Sequence, residues 1–418
     1  MQSTTPHHHD RLTPQHAHAQ AGTHHAAAPR GRVTHRARQA TVPWLWHFAT
    51  EYLLLLPLGA VIALIWVNTA PESYFRIAGA LRFTVNSVLM TLFFGLLAKE
   101  IVEATIPGGV LHPWRRAAVP FVASLGLTLV PLAVFAAVVP IFDEPRVLQG
   151  WPAVFATDVA FGYFAARLIF GRHAPLPFFV VLAIAANSLG LGALALTTVD
   201  AINPSAAVGF MVLALTLAGL LRQLRIRTLW PYLVGPGGCS WFALYFAGLP
   251  PALALLPVLP FVPHARRDPG FFVDASPAAH DPLSRFEQIV RHPAQVVLGL
   301  FGLVAAGVPL RALDWGTLSL PLSVMIGKPI GLLAGVAVAS ALGLHLPPGI
   351  RWRELTVLGL ISSVGFTFAL FFASASIGPG PTLSEVKMGA LLTAAGLLVA
   401  LVAARLLHTG RFAHPTRR

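Results

Sequence analysis

Apolar residues run along this chain in blocks of roughly twenty, and polar residues collect in the short intervals between them. A helical run of that length crosses a hydrocarbon core of about 30 Å. From Trp44 onward the pattern predicts twelve spans, at about 44–67, 79–98, 117–139, 152–170, 176–198, 205–221, 229–247, 249–263, 287–308, 317–343, 354–374 and 384–407. The blocks are continuously apolar, whereas a transmembrane barrel needs short alternating segments. The expected fold class is an all-α polytopic membrane protein of about twelve transmembrane helices. The seventh and eighth spans are short, rich in Pro and Gly, and parted only by Gly248.

Composition agrees with the pattern. Of 418 residues, 56% are hydrophobic and only 11% are charged, against about a quarter charged in a soluble domain. The net charge of +13 would suggest nucleic acid in a soluble protein. Here the arginines flank spans, so membrane topology explains them and nucleic acid is not an expected partner. Arg30, Arg32, Arg36 and Arg38 precede the first span, Arg115 and Arg116 follow the second, and Arg222, Arg225 and Arg227 follow the sixth. Arg266, Arg267, Arg351, Arg353, Arg411, Arg417 and Arg418 fall on the same side. The opposite loops carry mainly Arg76, Arg82, Arg146 and Arg311. This asymmetry places both termini in the cytoplasm of a bacterial inner-membrane protein. Three regions are expected: a disordered His/Arg-rich arm over 1–42, a transmembrane domain over 43–408, and a basic tail over 409–418. The single cysteine, Cys239, excludes an intrachain disulfide.

Against that background two charges stand out. Asp158 lies in an apolar stretch after Thr157, and Lys328 lies near the middle of the tenth span. A charge at mid-membrane costs roughly 2.5–3.5 kcal/mol on insertion scales and usually marks an ion or proton pathway. The sequence has only three lysines, Lys99, Lys328 and Lys387, so a lysine inside a span is unusual here. Asp158 reads either as a proton-titrating or helix-compensating carboxylate, or as an ordinary N-cap for a helix starting at Val159 near the surface. Lys328 reads either as a buried ammonium paired with Asp158 or with helix C-terminal carbonyls, or as a lysine snorkelling to the interface, for which the centre of a long span is too deep. Pro329 beside it frees a carbonyl one turn back.

The fourth span holds Pro152 and Thr157-Asp158, and the eleventh holds Ser362-Ser363-Val364-Gly365-Phe366-Thr367. Interrupted helices survive at membrane depth where they are buried in protein or line a cavity. Interruptions in corresponding spans of two halves point to a transporter site. Spans three to five and ten to twelve are the expected halves, with the fourth and eleventh broken. Asn187 and Ser188 sit mid-span in the fifth. They are neutral oxygen donors, either weak cation ligands or interhelical hydrogen-bonding groups. Glu100 and Glu103 end the second span beside Lys99, as a cation funnel or as surface charges. The chain carries no phosphate-binding loop, nucleophile elbow or His-Glu-x-x-His helix, so neither an enzyme nor a cofactor is expected.

Several motifs, taken together and in order, resemble the NhaA-type sodium/proton antiporters. They are Phe93-Phe-Gly-Leu-Leu-Ala-Lys-Glu100, Ala156-Thr-Asp-Val-Ala-Phe161, Tyr232-Leu-Val-Gly235, Arg291-His-Pro293 with Ala305-Ala-Gly-Val308, Gly327-Lys-Pro-Ile-Gly331 and Gly365-Phe-Thr-Phe368. The resemblance runs from about Trp44 to Leu407. It implies an inverted-repeat fold whose two broken helices cross at the membrane centre. It also implies that Asp158 compensates the crossing, that Lys328 is the buried lysine near the ion site, and that Glu100 belongs to a region linked to pH response, with Glu103 beside it. Protons and sodium or lithium would be the transported partners, the lipid bilayer the solvent, and a homodimer the assembly.

There are two departures. The family carries two adjacent aspartates in the fifth span, where this chain has Asn187-Ser188, and it usually has an Asn where this chain has Ala306. The aspartates bind sodium and exchange protons in the family; Asn and Ser coordinate but do not trade a proton for a cation. Ion coupling is therefore expected to be altered or weakened. Two further readings stay open: a regulatory or structural membrane protein that keeps the fold without exchange, and a transporter of another substrate.

Overall fold

The computed structural model describes residues 55–105, 114–171, 173–197, 203–263, 282–346 and 348–413. The expected arm over 1–42, the start of the first span and the last five residues of the tail lie outside them.

Among the described residues the regular secondary structure is all helical, with no strand. Helix α1 is Leu55–Thr69 and α2 is Pro71–Phe83; a π turn, Thr84–Leu89, joins α2 to α3, Met90–Thr105. The second span is thus longer than the hydrophobic pattern predicts, because the helix continues through polar residues from Pro71. The carbonyl of Ser87 in the π turn takes a hydrogen bond from Trp241 Nε1 at 2.8 Å. Helix α4 is Trp114–Val138. The fourth span is split into α5, Pro152–Phe155, and α6, Val159–Phe170. Then follow α7 (Pro175–Thr197), α8 (Pro204–Gln223), α9 (Trp230–Phe246), α10 (Pro282–Ala305) and α11 (Ser319–Ala341). The eleventh span is split into α12, Trp352–Ser362, and α13, Phe366–Ser376, bent by 47°. The last span is α14, Pro381–Leu392, and α15, Gly396–Leu406, joined by a short 3₁₀ turn. By length and apolarity alone, eight described helical runs can cross a membrane, or nine with the bent pair counted as one.

The predicted eighth span, 249–263, is not an α-helix. Its backbone bonds run mostly from residue i to i−3, as in Leu253 N–H to Pro250, Val258 to Leu255 and Val262 to Leu259. Pro250, Pro251, Pro257 and Pro260 remove the N–H groups that an α-ladder needs. At a 3₁₀ rise of about 2 Å per residue, such a coil still covers most of a bilayer. Ala252, Val258, Leu259 and Val262 are fully buried, so the segment packs as a core element.

Two three-part units, α4 with α5–α6 and α7, and α11 with α12–α13 and α14–α15, meet through α4 and α11. The contact is backbone on backbone. Gly327, Gly331 and Gly335 recur every fourth residue on α11. A Cβ on Gly331 would overlap the Gly126 carbonyl, and one on Gly335 would come within 2.8 Å of Ala123 Cα. Small residues at this spacing let membrane helices approach closely. We expect Gly331→Ala to lower stability by about 1–3 kcal/mol through overpacking, read as a fall in the apparent Tm of the detergent-solubilised chain, and Gly331→Leu to abolish a monodisperse folded species.

At the tail, Gly410–Phe412 form a 3₁₀ turn against α6, with the Arg405 guanidinium 5.3 Å from the Phe412 ring centre.

Candidate functional site

A broken helix exposes backbone groups that no water can satisfy at membrane depth. Here the two breaks satisfy each other. The Asp158 N–H donates to the Val364 carbonyl at 2.7 Å. The Thr157 N–H donates to Asn187 Oδ1 at 3.0 Å, and Asn187 Nδ2 donates to the Thr157 carbonyl at 2.8 Å. The Gly365 N–H donates to Thr393 Oγ1 at 3.2 Å. A Cβ on Gly365 would lie 3.1 Å from the Ala156 carbonyl oxygen, so the lack of a side chain there lets the breaks approach this closely.

The two charges take opposite ends of the half-helices. Asp158 Oδ1 accepts from the Ala160 and Phe161 N–H groups, each at 3.1 Å, and Oδ2 accepts from the Thr367 N–H at 2.9 Å. One carboxylate therefore caps the N-termini of both α6 and α13, where the helix dipoles are positive. Asp158 is an N-cap, as one reading of the sequence has it, but it is 1% exposed and not near the surface. Lys328 is fully buried. Its ammonium donates to the Ala156 carbonyl, to Thr157 Oγ1 at 3.0 Å and to the Ser362 carbonyl at 2.9 Å. Those carbonyls close the C-terminal ends of α5 and α12, where the dipoles are negative. Of the two partners the sequence offers for Lys328, the structure selects the carbonyls. Lys328 and Asp158 make no ion pair, because each is saturated by helix ends pointing opposite ways.

Asn187 and Ser188 separate. Asn187 is fully buried and clamps the Thr157 peptide from both sides. Ser188 is exposed and bonds only the Ile184 carbonyl of its own helix, at 2.8 Å. Of the two sequence readings, interhelical hydrogen bonding describes Asn187.

Glu100 and Glu103 are buried, not surface charges. Lys99 Nζ lies 3.3 Å from Glu100, 2.6 Å from Glu103 and 2.7 Å from Glu287. Arg291 reaches Glu287 at 3.5 Å. Glu287, on α10, is not conspicuous in the sequence. Its signal there is an acid four residues before Arg291 on the flank of an apolar helix face, easily taken for a helix-end charge. A cavity runs from Glu100, Glu287 and Arg291 past Phe368 to Val159 and Ala160, the two residues that follow Asp158. Phe93 and Phe94 of α3 pack against Phe368 of α13 along this path, with ring centres 5.9 and 5.8 Å apart.

The long apolar helices and the charged crossing inside them define an integral membrane protein with a secondary-transporter architecture. The profile of the family described as "Na+/H+ antiporter 1" matches residues 48–407. The chain is 35% identical over 371 residues to the Na(+)/H(+) antiporter NhaA of Geobacter sulfurreducens, covering 86% of this chain and 97% of that one. It is 36% identical over 410 residues to the Na(+)/H(+) antiporter NhaA of Jannaschia sp., covering 87% and 97%. Its fold is similar to that of the sodium proton antiporter MjNhaP1 from Methanocaldococcus jannaschii, with a TM-score of 0.54 at 14% identity over 90% of this chain and 97% of that one. The chain belongs to the Na+/H+ antiporter 1 family. The named relatives are antiporters, so the reading of a fold-retaining protein without exchange gains no support from them.

Proposed function

We propose that this protein is a secondary active transporter that exchanges sodium or lithium for protons across the bacterial inner membrane, with both termini cytoplasmic. The observation that carries the reading is the crossing: two interrupted helices meet in the protein interior, with Asp158 on their N-terminal ends and Lys328 on their C-terminal ends. Dipole ends and fixed charges at mid-membrane hold ions without water. The cavity from Glu100 and Glu287 to Ala160 supplies a cation path from an anionic vestibule, and Glu100 and Glu103 with Lys99 are the groups we assign to pH response. Thr157, Gly365, Phe366 and Thr367 fix the geometry of the breaks. Because Asn187-Ser188 provide no carboxylate, coupling rests on Lys328 and Asp158. Enzymatic chemistry has no part in this reading. A homodimer would bury some of the exposed apolar surface of α8, which includes Val208 and Val212; light scattering of the detergent-solubilised chain checks it.

The test is proton movement in inside-out vesicles that have been acidified by respiration. Sodium or lithium is expected to collapse the pH gradient with the native chain, and Lys328→Ala and Asp158→Asn are expected to abolish the response. If sodium, lithium and potassium all leave the gradient untouched while the native chain is shown folded in the membrane, antiport is excluded.

A further inference from the structure

In each three-part unit the last member supports the break of the middle one. In the first unit Asn187 of α7 grips the Thr157 peptide on both sides. In the second unit the support comes from the last span, which is itself broken. Its two halves pack on the two halves of the eleventh span, α14 against α13 and α15 against α12. The 3₁₀ turn that joins them, Thr393–Ala395, therefore lies beside the Ser362–Gly365 break. Side chains three apart in a 3₁₀ turn fall on one line. Here that line is Thr393 and Gly396, both buried, while Ala394 and Ala395 are exposed. A Cβ on Gly396 would come within 2.5 Å of Ser363 Oγ, so the turn sits directly on the break.

Thr393 is 1% exposed, and its hydroxyl is used both as donor and as acceptor. The O–H donates to the Ala390 carbonyl, one turn back, at 2.6 Å. Back-bonding of this kind bends a helix. With the hydrogen fixed there, the oxygen accepts from the Gly365 N–H at 3.2 Å. Gly365 is the N-cap of α13 and has no side chain to cap with. The amide end of α13 is thus held by groups from other helices, by Asp158 at the Thr367 N–H and by Thr393 at the Gly365 N–H. Asp158 belongs to the other unit and draws that end across the crossing. Thr393 belongs to the same unit and fixes how far the end advances.

We propose that Thr393 is a positioning residue for transport: its hydroxyl, carried on the turn of the last span, sets where the amide end of α13 meets Asp158, and through that the rate of exchange. The inference rests on the antiport reading above and adds the last span to the machinery. The hydroxyl is spent on two backbone groups and is not a ligand for the ion. Its loss is therefore expected in the maximal rate, and not in the sodium concentration that half-saturates exchange. Thr393→Val is the informative change, because it keeps the volume, removes the oxygen and leaves the Gly365 N–H buried without this acceptor.

Two measurements on the full chain test the proposal. One is amide hydrogen exchange of the purified protein in detergent, followed by mass spectrometry over 363–368, which requires no transport. Thr393→Val is expected to speed exchange of the Gly365 amide about tenfold, the factor for one lost hydrogen bond, with Thr393→Ser near the native value. The other is sodium-driven proton movement in inside-out vesicles, normalised to folded protein by gel filtration. Thr393→Val is expected to lower the maximal rate about tenfold and to leave the half-saturating sodium concentration within about twofold of native, while Thr393→Ser restores most of the rate. Gly396→Ala presses the same turn against Ser363 with the hydroxyl kept, and is expected to slow exchange too. If Thr393→Val does not fold, a native rate in Gly396→Ala overturns the proposal. It is also overturned if Thr393→Val keeps native protection at Gly365, or if folded Thr393→Val exchanges at the native rate. Thr393→Ser as slow as Thr393→Val would make the methyl group the cause, and a change confined to the half-saturating concentration would make Thr393 an ion ligand; either result refutes positioning by the hydroxyl. Absence of exchange by the native chain would remove the antiport reading, and protection at Gly365 then decides the role of Thr393 by itself.

Discussion

Asp158→Ala is expected to destabilise the protein by at least about 3 kcal/mol, because it strips the acceptor from three buried N–H groups at once. The Ala160, Phe161 and Thr367 amides have no alternative partner within the crossing. An orphaned buried donor costs about 1–3 kcal/mol. The loss of charge adds to this, since the positive ends of α6 and α13 then face each other without an anion between them, while Lys328 remains as a central positive charge. Asp158→Asn should be milder. Its carbonyl can still accept at one helix end, but its NH₂ group presents donors to the other. The measurement is apparent Tm of the solubilised chain, with the native chain highest, Asp158→Asn next and Asp158→Ala lowest. Equal stability of the Asp158→Ala variant and the native chain would mean that Asp158 is not what holds the two half-helices together.

Much of this arrangement is legible in the sequence, for a physical reason. The bilayer removes water as a partner, so charges and helix breaks inside apolar blocks are conspicuous. Asp158, Lys328 and the Ser362–Thr367 break stand out on those grounds alone. What the sequence leaves open is direction. Asp158 and Lys328 have opposite charges inside apolar spans, and a direct pair is the simplest expectation. The structure turns them apart, because the carboxylate is drawn to amide ends and the ammonium to carbonyl ends, and helix polarity is a property of the fold. Asn187 shows the same limit: a mid-span amide is visible, but its two-sided grip on the Thr157 peptide depends on how α7 lies against the break. The eighth span misleads for another reason. Its composition is apolar enough for a helix, and the prolines that forbid an α-ladder do not forbid a 3₁₀ coil. Glu287 is lost among helix-end charges because its partner, Lys99, lies 188 residues away.

The vestibule yields the second large effect. Lys99 is 1% exposed and lies within 3.3 Å of carboxylates from two different helices. Three acids share this one fully buried cation, with Arg291 assisting at Glu287. Buried ion clusters add little net stability over apolar replacements, but removing one member strands the rest, at about 3–5 kcal/mol. Lys99→Met is therefore expected to lower stability by that amount. Partial rescue should come from Glu103→Gln in the same chain, because it removes the acid closest to the missing ammonium. Glu103→Gln alone should cost less than Lys99→Met, since two acids remain to hold Lys99. A double-mutant cycle on apparent Tm tests this, because residues in one charge network are non-additive. The expected coupling is large, and additive effects would show that the cluster is not a unit. The same substitution leaves the cavity rim more negative, at Glu100 and Glu287. Lys99→Met alone should then admit sodium to the vestibule at lower bulk concentration, at a cost in release, and the Glu103→Gln rescue, which restores the net charge of the cluster, should reverse this. The salt dependence of the exchange rate in proteoliposomes separates this electrostatic effect, which weakens as ionic strength rises, from any change at the crossing itself.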